Sequence, residues 1–323
     1  MIYRALDGLD REASAIVMGS TGLGSSLSEG ESFDILDAYV ELGGNFLDTA
    51  RVYGDFANGR QGLAEQTIGR WLRARGNRAR MIIGTKGAHP PLEDMHASRL
   101  SAKDLREDLS RSLDALGVDC VEVYYLHRDD AARPVGEILE TLNGFYERGQ
   151  IKKLGASNWS AARIREANAY AAAHGMQGFS VNQPQWSLAR QAIVEDDTLV
   201  MLGREDYNMH LESGMPCVPF SSQAKGFFIK LFEGGEAALS DKARRRFMTP
   251  SNMRIFQALT EIHARTGVSV GALSLAFLTG QSFPVFPIVG VSSLAQVWAL
   301  REAGDAVLDK EDMARLMRLS GLE

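Results

Sequence analysis

The feature that most limits what this chain can fold into is an alternation of short apolar, β-branched runs with longer amphipathic segments along nearly its whole length. Eight runs read as strands: AIVMGS (15–20), NFLD (45–48), RMIIGTK (80–86), CVEVYYLH (120–127), KKLGAS (152–157), FSVNQ (179–183), CVPFSS (217–222) and VFPIVG (285–290). Between them lie segments such as ESFDILDAYVELGG and AKDLREDLSRSLDALG, whose apolar residues recur at three- and four-residue steps. Strand followed by crossover helix is the pattern of a parallel sheet. No low-complexity linker or compositional break interrupts it, and 45% hydrophobic content over 323 residues is enough for one large core. The expected architecture is therefore α/β, a (β/α)8 TIM barrel forming a single domain over residues 1–323.

Several element ends are legible. Ser101 and Pro134 suit helix starts, and Gly43, Gly76, Gly117, Gly149 and Gly175 follow periodic segments where a left-handed closing residue belongs. The opening YRALDGLDREA suits a hairpin turning at Asp7-Gly8. Residues 190–215 break the alternation and read as a long acidic connection. Helical patterns at 252–267, 269–280, 294–303 and 310–320 exceed what eight repeats need, so two C-terminal helices are expected outside the basic barrel.

A formal net charge of −6 without a long basic block excludes a nucleic-acid backbone as a partner. The amino terminus MIYRALDGLDREAS carries acidic residues where a signal peptide needs an apolar segment, and the apolar stretch at 268–278 is too short to span a bilayer, for which about 20 residues are needed. That stretch reads as a buried helix. Cys120 and Cys217 sit in strand-like runs without metal-ligand spacing and read as reduced, buried thiols of a cytoplasmic protein. No metal site is expected. The chain is expected to act as a monomer or homo-oligomer on a small molecule, away from membranes.

Four side chains with proton-transfer chemistry stand at or just beyond the downstream ends of strand runs, where an α/β barrel collects its functional groups. Asp48 closes NFLD, Tyr53 follows in TARVYG, Lys86 closes MIIGTK and His127 closes VEVYYLH. Singly each has an ordinary role: helix or turn cap, rim aromatic, solvated strand end, hydrogen-bonded histidine. Together they suit hydride transfer to a carbonyl. A phenol, with an ordinary pKa of about 10, can protonate the developing alkoxide if a neighbouring ammonium favours its ionisation. Tyr53 would be that donor, Lys86 the ammonium, Asp48 its anchor, and His127 the group that orients the substrate oxygen.

The glycines of GSTGLGSS after the first strand do not match the dinucleotide-binding G-x-G-x-x-G spacing. A dinucleotide could instead lie along the later strand ends. Ser157, Asn158 and Gln183 would meet a nicotinamide carboxamide, and Phe220 could lie against its ring. Ser221, Ser222, Gln223 and Lys225 would face a pyrophosphate, while Gly290, Ser292, Ser293 and Gln296 enter a helix whose free N–H groups attract phosphate. N-capping is the plain alternative for the last serines, and core packing for Phe220.

With these motifs assembled, the chain resembles an aldo-keto reductase. GGNFLDTARVYG, MIIGTKG, VYYLHRDD, KKLGASNW, SVNQPQWSL, PFSSQAKGFF and PIVGVSSLAQV follow in that family's order from the first strand to the helix after Gly290. The resemblance implies a (β/α)8 barrel, NAD or NADP as cofactor, and carbonyl reduction or the reverse oxidation with Tyr53 as general acid/base. It also carries the carboxamide role onto Ser157, Asn158 and Gln183 and the ring-stacking role onto Phe220. Three departures stand out. Gly290-Val291-Ser292-Ser293 lacks the Lys or Arg that many members place against the 2′-phosphate of NADP, so weak discrimination or a preference for NADH is expected. The stretch DFANGRQGLAEQ lengthens the spacing to Glu65, which matches a family glutamate. The third is the acidic run at 195–206.

Residues near the strand ends offer Arg51, Phe56, His89, Arg128, Trp159 and Trp186 as a substrate rim. Aromatic faces beside cations suit a sugar-derived or other polyhydroxylated carbonyl, and the aromatics alone an aryl aldehyde. A different class of function is a cofactor-binding regulatory subunit, as in the ion-channel β subunits that resemble this family. A barrel glycosidase is disfavoured because no carboxylate pair falls on adjacent strand ends.

Overall fold

The computed structural model describes residues 1–54 and 61–322. A two-stranded antiparallel hairpin, β1 (Tyr3–Arg4) and β2 (Ala13–Ser14), opens the chain. The repeats follow: β3 (Val17–Gly19), α1 (Glu29–Glu41), β4 (Phe46–Asp48), α2 (Leu63–Arg75), β5 (Ile82–Gly87), α3 (Ala102–Leu116) and β6 (Val121–Leu126). Next come α4 (Val135–Glu147), β7 (Ile151–Ser157), α5 (Ala161–Ala173), β8 (Phe179–Gln183) and α6 (Arg204–Ser213). Four helices then intervene, α7 (Phe227–Gly234), α8 (Asp241–Phe247), α9 (Pro250–Thr266) and α10 (Val270–Thr279), before β9 (Ile288–Gly290), α11 (Leu294–Asp305) and α12 (Lys310–Ser320).

The seven longer-range strands form one parallel sheet in the order β8-β7-β6-β5-β4-β3-β9. The sheet closes through the run expected to be the seventh strand. Cys217 bridges in parallel to Asn182 on one side and to Val285 on the other. Val218 N–H donates to Asn182 O (2.8 Å), and Phe286 N–H donates to Cys217 O (2.8 Å). This run is not a regular strand, and VFPIVG is one only at its last three residues. The reason is chemical: Pro216, Pro219, Pro284 and Pro287 have no N–H to give, so the ladder is reduced to isolated bridges.

Other expectations are met or revised in detail. All five terminating glycines have positive φ, and the hairpin turns through Gly8 at φ 83°. Every residue of α10 is buried, as a helix apolar all round must be. The 190–215 connection contains α6, whose polar sequence hid its helical character. Four helices, α7 to α10, lie between the seventh and eighth barrel positions, and α12 follows the last crossover. Cys217 is buried, but Cys120 precedes β6 and is only half-buried; both are free thiols. Among the described residues no helix is long and apolar enough to cross a membrane, and no group of three or more His, Cys, Asp or Glu could hold a metal ion.

Inside the barrel, Val17, Phe46, Ile82, Val123, Tyr125, Val181, Val218, Phe286 and Ile288 pack together, joined by Leu6 and Ala13 from the hairpin, which packs at the barrel's amino-terminal end. Tyr125 takes the space that two glycines of the sheet leave open. A Cβ on Gly155 of β7 would lie 2.3 Å from its ring, and one on Gly84 of β5 3.0 Å. The glycines in IIGTK and KLGAS thus make room for a ring beneath the carboxyl ends of the strands. Gly155→Ala should overpack this layer and cost about 1–3 kcal/mol. The reading is a lower urea midpoint at unchanged slope, whereas an unaltered midpoint would show that Tyr125 has other room.

Candidate functional site

Parallel pairing brings the strand ends to one face. Register Asp48↔Gly84 between β4 and β5 continues past the strands, with Thr49 N–H on Gly84 O (2.9 Å) and Arg51 N–H on Lys86 O (3.0 Å). The chain then turns so that Tyr53 faces back over β5. Lys86 Nζ donates to Asp48 Oδ2 (2.7 Å), to Thr49 O (2.8 Å) and to the Tyr53 phenol oxygen (3.1 Å), which occupies all three of its protons. His127, whose N–H reaches Gly87 O (2.9 Å), lies edge-on to Tyr53 with ring centroids 5.9 Å apart. The structure therefore brings together the four side chains singled out by position.

Burial pushes the Lys86 ammonium down, but the Asp48 carboxylate and the Tyr53 oxygen more than reverse this and hold it above its ordinary value. Burial works on Asp48 in the opposite sense, raising it against the pull of Lys86. With Lys86 on one carboxylate oxygen and Gln183 Nε2 on the other (2.8 Å), we take the pair as ionised. His127 is held well below the usual histidine range by burial, then by Lys86, His89 and Arg128, so it is a neutral imidazole near pH 7. Its Nδ1 is buried with no hydrogen-bond partner among the described residues.

The residues expected to meet a carboxamide are close together but already braced. Ser157 Oγ donates to Gln183 O (2.9 Å), and Gln183 orients Asp48. Asn158, left-handed at φ 59°, donates to His127 O (3.1 Å) and accepts from Val200 N–H (3.1 Å). Phe220 is half-buried against the barrel interior. Ser221 begins a strained turn at φ 54°, and Gln223 and Lys225 follow within it. Ser222 does not face outward: its buried Oγ donates to Ile288 O (2.6 Å) and ties the turn to β9. After the exposed Gly290, Ser293 caps α11, and Gln296 Oε1 takes the Ser292 N–H (2.7 Å).

The expected rim is only partly a rim. Trp159 is 1% exposed, donates to Arg128 O (3.2 Å) and packs edge-on against Phe179. Trp186 is 5% exposed among Tyr207, Phe277 and Phe283. Both point into packed layers, since a residue just past a strand end can turn outward to the helices as readily as inward. Phe56 lies outside the described residues. His89 stays close, with its ring 4.7 Å from that of His127 and Nδ1 on Pro90 O (2.6 Å), and burial lowers it to about 4. Arg128 donates to His127 O (2.9 Å) and to Thr198 Oγ1 (2.9 Å), with Asp196 at 3.6 Å. Arg51 bonds Gln61 (2.9 Å).

Two contributors were not assigned roles from sequence. Ser20, just after β3, has a buried hydroxyl without a partner among the described residues, and its N–H donates to Asp48 O (3.0 Å). Glu65 on α2 is fully buried behind β5 with Oε1 on Thr85 Oγ1 (2.5 Å), next to Lys86 in sequence. Burial pushes its carboxyl up to about 7, against the hydrogen bond from Thr85 and the charges of Arg51 and Lys86. Helical periodicity does not distinguish such a carboxylate from a surface one, and the one signal for Glu65 in the sequence was its match to a family glutamate.

A profile of the aldo/keto reductase family matches residues 15–320. The chain belongs to the aldo/keto reductase family. It is 29% identical to an aryl-alcohol dehydrogenase of Pestalotiopsis microspora over 304 residues, which cover 91% of this chain and 73% of that one. It is 28% identical to an aryl-alcohol dehydrogenase [NADP(+)] of Phanerodontia chrysosporium over 335 residues, 95% of this chain and 82% of the relative. A norsolorinic acid reductase of Emericella nidulans is 28% identical over 291 residues, 87% and 70% of the two chains. Family membership makes the protein an oxidoreductase that works with a nicotinamide cofactor.

Glu65 gives a pH signature. A carboxyl raised from an unfolded value near 4.3 to about 7 in the fold binds more protons folded than unfolded across that window. Stability therefore falls as pH rises through it and levels off above. Glu65→Gln should remove the decline, gaining on the parent by up to roughly 3 kcal/mol between pH 5 and pH 8. Chemical denaturation at the two pH values measures it, and a constant difference would mean Glu65 does not titrate there.

Proposed function

We propose that this chain reduces an aryl aldehyde or ketone to the alcohol, or runs the reverse oxidation, with Tyr53 as general acid/base. The observation that carries the reading is Lys86 Nζ held at once by Asp48 Oδ2 (2.7 Å) and the Tyr53 oxygen (3.1 Å). The residues at the mouth fit a nicotinamide dinucleotide. Phe220 is only partly buried, and the buried Ser20 hydroxyl, without a partner among the described residues, is one that a polar ligand would satisfy. When bound, the dihydronicotinamide supplies the hydride.

The chain supplies the rest. As negative charge builds on the substrate oxygen, Tyr53 gives its proton, and the Lys86 ammonium stabilises the charge left on the phenol oxygen. Asp48 keeps that ammonium charged and aimed, and Gln183 keeps Asp48 aimed. His127, neutral, is a hydrogen-bond donor for the substrate oxygen that does not compete as an acid. The low-dielectric setting of the buried pair strengthens each of these contacts.

Support for an aryl substrate comes from the names of the relatives, two of them aryl-alcohol dehydrogenases. Burial of Trp159 and Trp186 takes both tryptophans out of the substrate rim and favours neither an aryl nor a sugar substrate. A panel of aromatic aldehydes and aldoses decides between them by kcat/KM. Sustained turnover on that panel separates a catalyst from a cofactor-binding regulatory subunit.

Tyr53→Phe should keep cofactor binding and lose at least ~10²-fold in reduction, the low end for positioned acid catalysis. Parental rates in that variant would remove Tyr53 from the mechanism. Lys86→Met should lower kcat more than it raises KM, because the charge acts on the phenol and not on the ground-state substrate. A raised KM at normal kcat would instead place Lys86 in substrate binding.

A further inference from the structure

Strand β5 is braced from behind, on the face it turns to α2 and α3. Successive strand residues point to opposite faces, so Thr85 and Gly87 look outward while Lys86 between them looks into the barrel. Thr85 Oγ1 donates to Glu65 Oε1 of α2 (2.5 Å), and Ala88 N–H donates to Asp108 Oδ2 of α3 (2.8 Å). Gly87 leaves the room that the Tyr124 hydroxyl of β6 and the Asp108 Cβ take. The strand that carries the ammonium is thus held at 85, 87 and 88 by groups that take no part in the proton transfer itself.

Glu65 is the incompletely satisfied member of this brace. It is 0% exposed, and its Oε2 is buried with no hydrogen-bond partner among the described residues. One turn along α2, a Cβ on Gly69 would lie 2.7 Å from Leu116 O, so α2 and α3 meet there backbone to backbone and exclude water. A carboxylate in that place lacks the donors a buried charge needs, whereas a neutral acid is tolerated. A carboxyl at about 7 agrees. Arg51 from the turn after β4 and Lys86 from β5 are the cations that favour its charge. Asp108 is already paired with Arg99 (2.8 Å), and the Tyr124 phenol, pushed well up by burial and then by Asp108 and Glu65, stays neutral.

We propose that Glu65 is a positioning residue for Lys86: as a neutral acid it holds β5 through Thr85, and its ionisation slows proton transfer from Tyr53. The proposal rests on the carbonyl-reduction reading above. A negative charge lodged behind β5 opposes the negative charge that the phenol oxygen acquires as its proton leaves, and it offsets part of the Lys86 field that stabilises that oxygen. Glu65, on the outer face of the sheet, gives no proton to the substrate.

Single-turnover reduction of the best aldehyde of the panel, measured against pH with NADPH and with NADH, tests this. The parental rate should fall about tenfold as pH rises through about 7, the order expected of one charge acting across a strand at low dielectric. Glu65→Gln keeps the bond from Thr85 and cannot ionise, so its rate should stay on the parent's acid plateau, with the half-saturating aldehyde concentration within about twofold. Infrared spectra of the protein without substrate should show a carboxylic-acid C=O band that disappears over the same pH range and is absent from Glu65→Gln. Thr85→Val takes a donor from the charged form and should move the fall to higher pH, which keeps the test if Glu65→Gln does not fold. A parent that reduces none of the aldehydes overturns the functional reading and this proposal together. A parent that turns over, with a Glu65→Gln profile that falls as the parent's does, overturns this proposal alone. A parental rate level across that range, an unmoved fall in Thr85→Val, or a band that Glu65→Gln retains does the same.

Discussion

The Lys86 ammonium is the constraint on which the rest of the site depends. Its side chain is 1% exposed, and a charge taken that far from water is tolerable only if it is paired and its protons are bonded. Asp48 meets the charge, and Thr49 O and the Tyr53 oxygen take the other two protons. Because those acceptors come from β4 and the turn after it, adjacency of β4 and β5 in parallel register is a requirement of the site. Gln183 then reaches Asp48 from β8, 135 residues away, so the carboxylate is aimed only when the barrel has closed.

A second layer holds the strand ends in conformations they would not take alone. The five non-glycine residues with positive φ among those described are Ala88, Asn158, Ser221, Ala224 and Lys225. All follow the carboxyl end of a barrel position, and none lies at the hairpin end. Ala88 is held by its N–H on Asp108 Oδ2 (2.8 Å), a buried carboxylate paired with Arg99 (2.8 Å). Through that anchor the chain after β5 carries His89 to the ring of His127. Strain of this kind is kept where the surroundings over-determine it, and here it lies on the face that carries the proton-transfer groups.

What could be read from the chain follows physical range. Strand runs, helix faces, terminating glycines and the Asp7-Gly8 turn are encoded within a few residues, and the structure returns them. The run at 217–222 kept its place in the barrel but lost its ladder to prolines. The helix at the end of the 190–215 connection was hidden because REDYNMHLES has little apolar face to mark it. Trp159 and Trp186 were misplaced because nearness to a strand end does not say whether a side chain turns to the mouth or to the helices. Glu65 was marked by its match to a family glutamate, but its burial was not, because only packing removes its water.

The amino-acid sequence by itself determined the order of the barrel positions, the family, and the residues at the strand ends, since periodicity and motif spacing are local properties of the chain. Only the tertiary structure decided which atoms those residues meet. It set Gln183 behind Asp48, sent Ser222 to Ile288 O, and gathered Lys242 and Arg246 on Glu195. Those pairings join segments 135, 66, 47 and 51 residues apart. Their partners are chosen by barrel closure and by the cost of leaving a buried polar group unpaired, neither of which exists until the chain is packed.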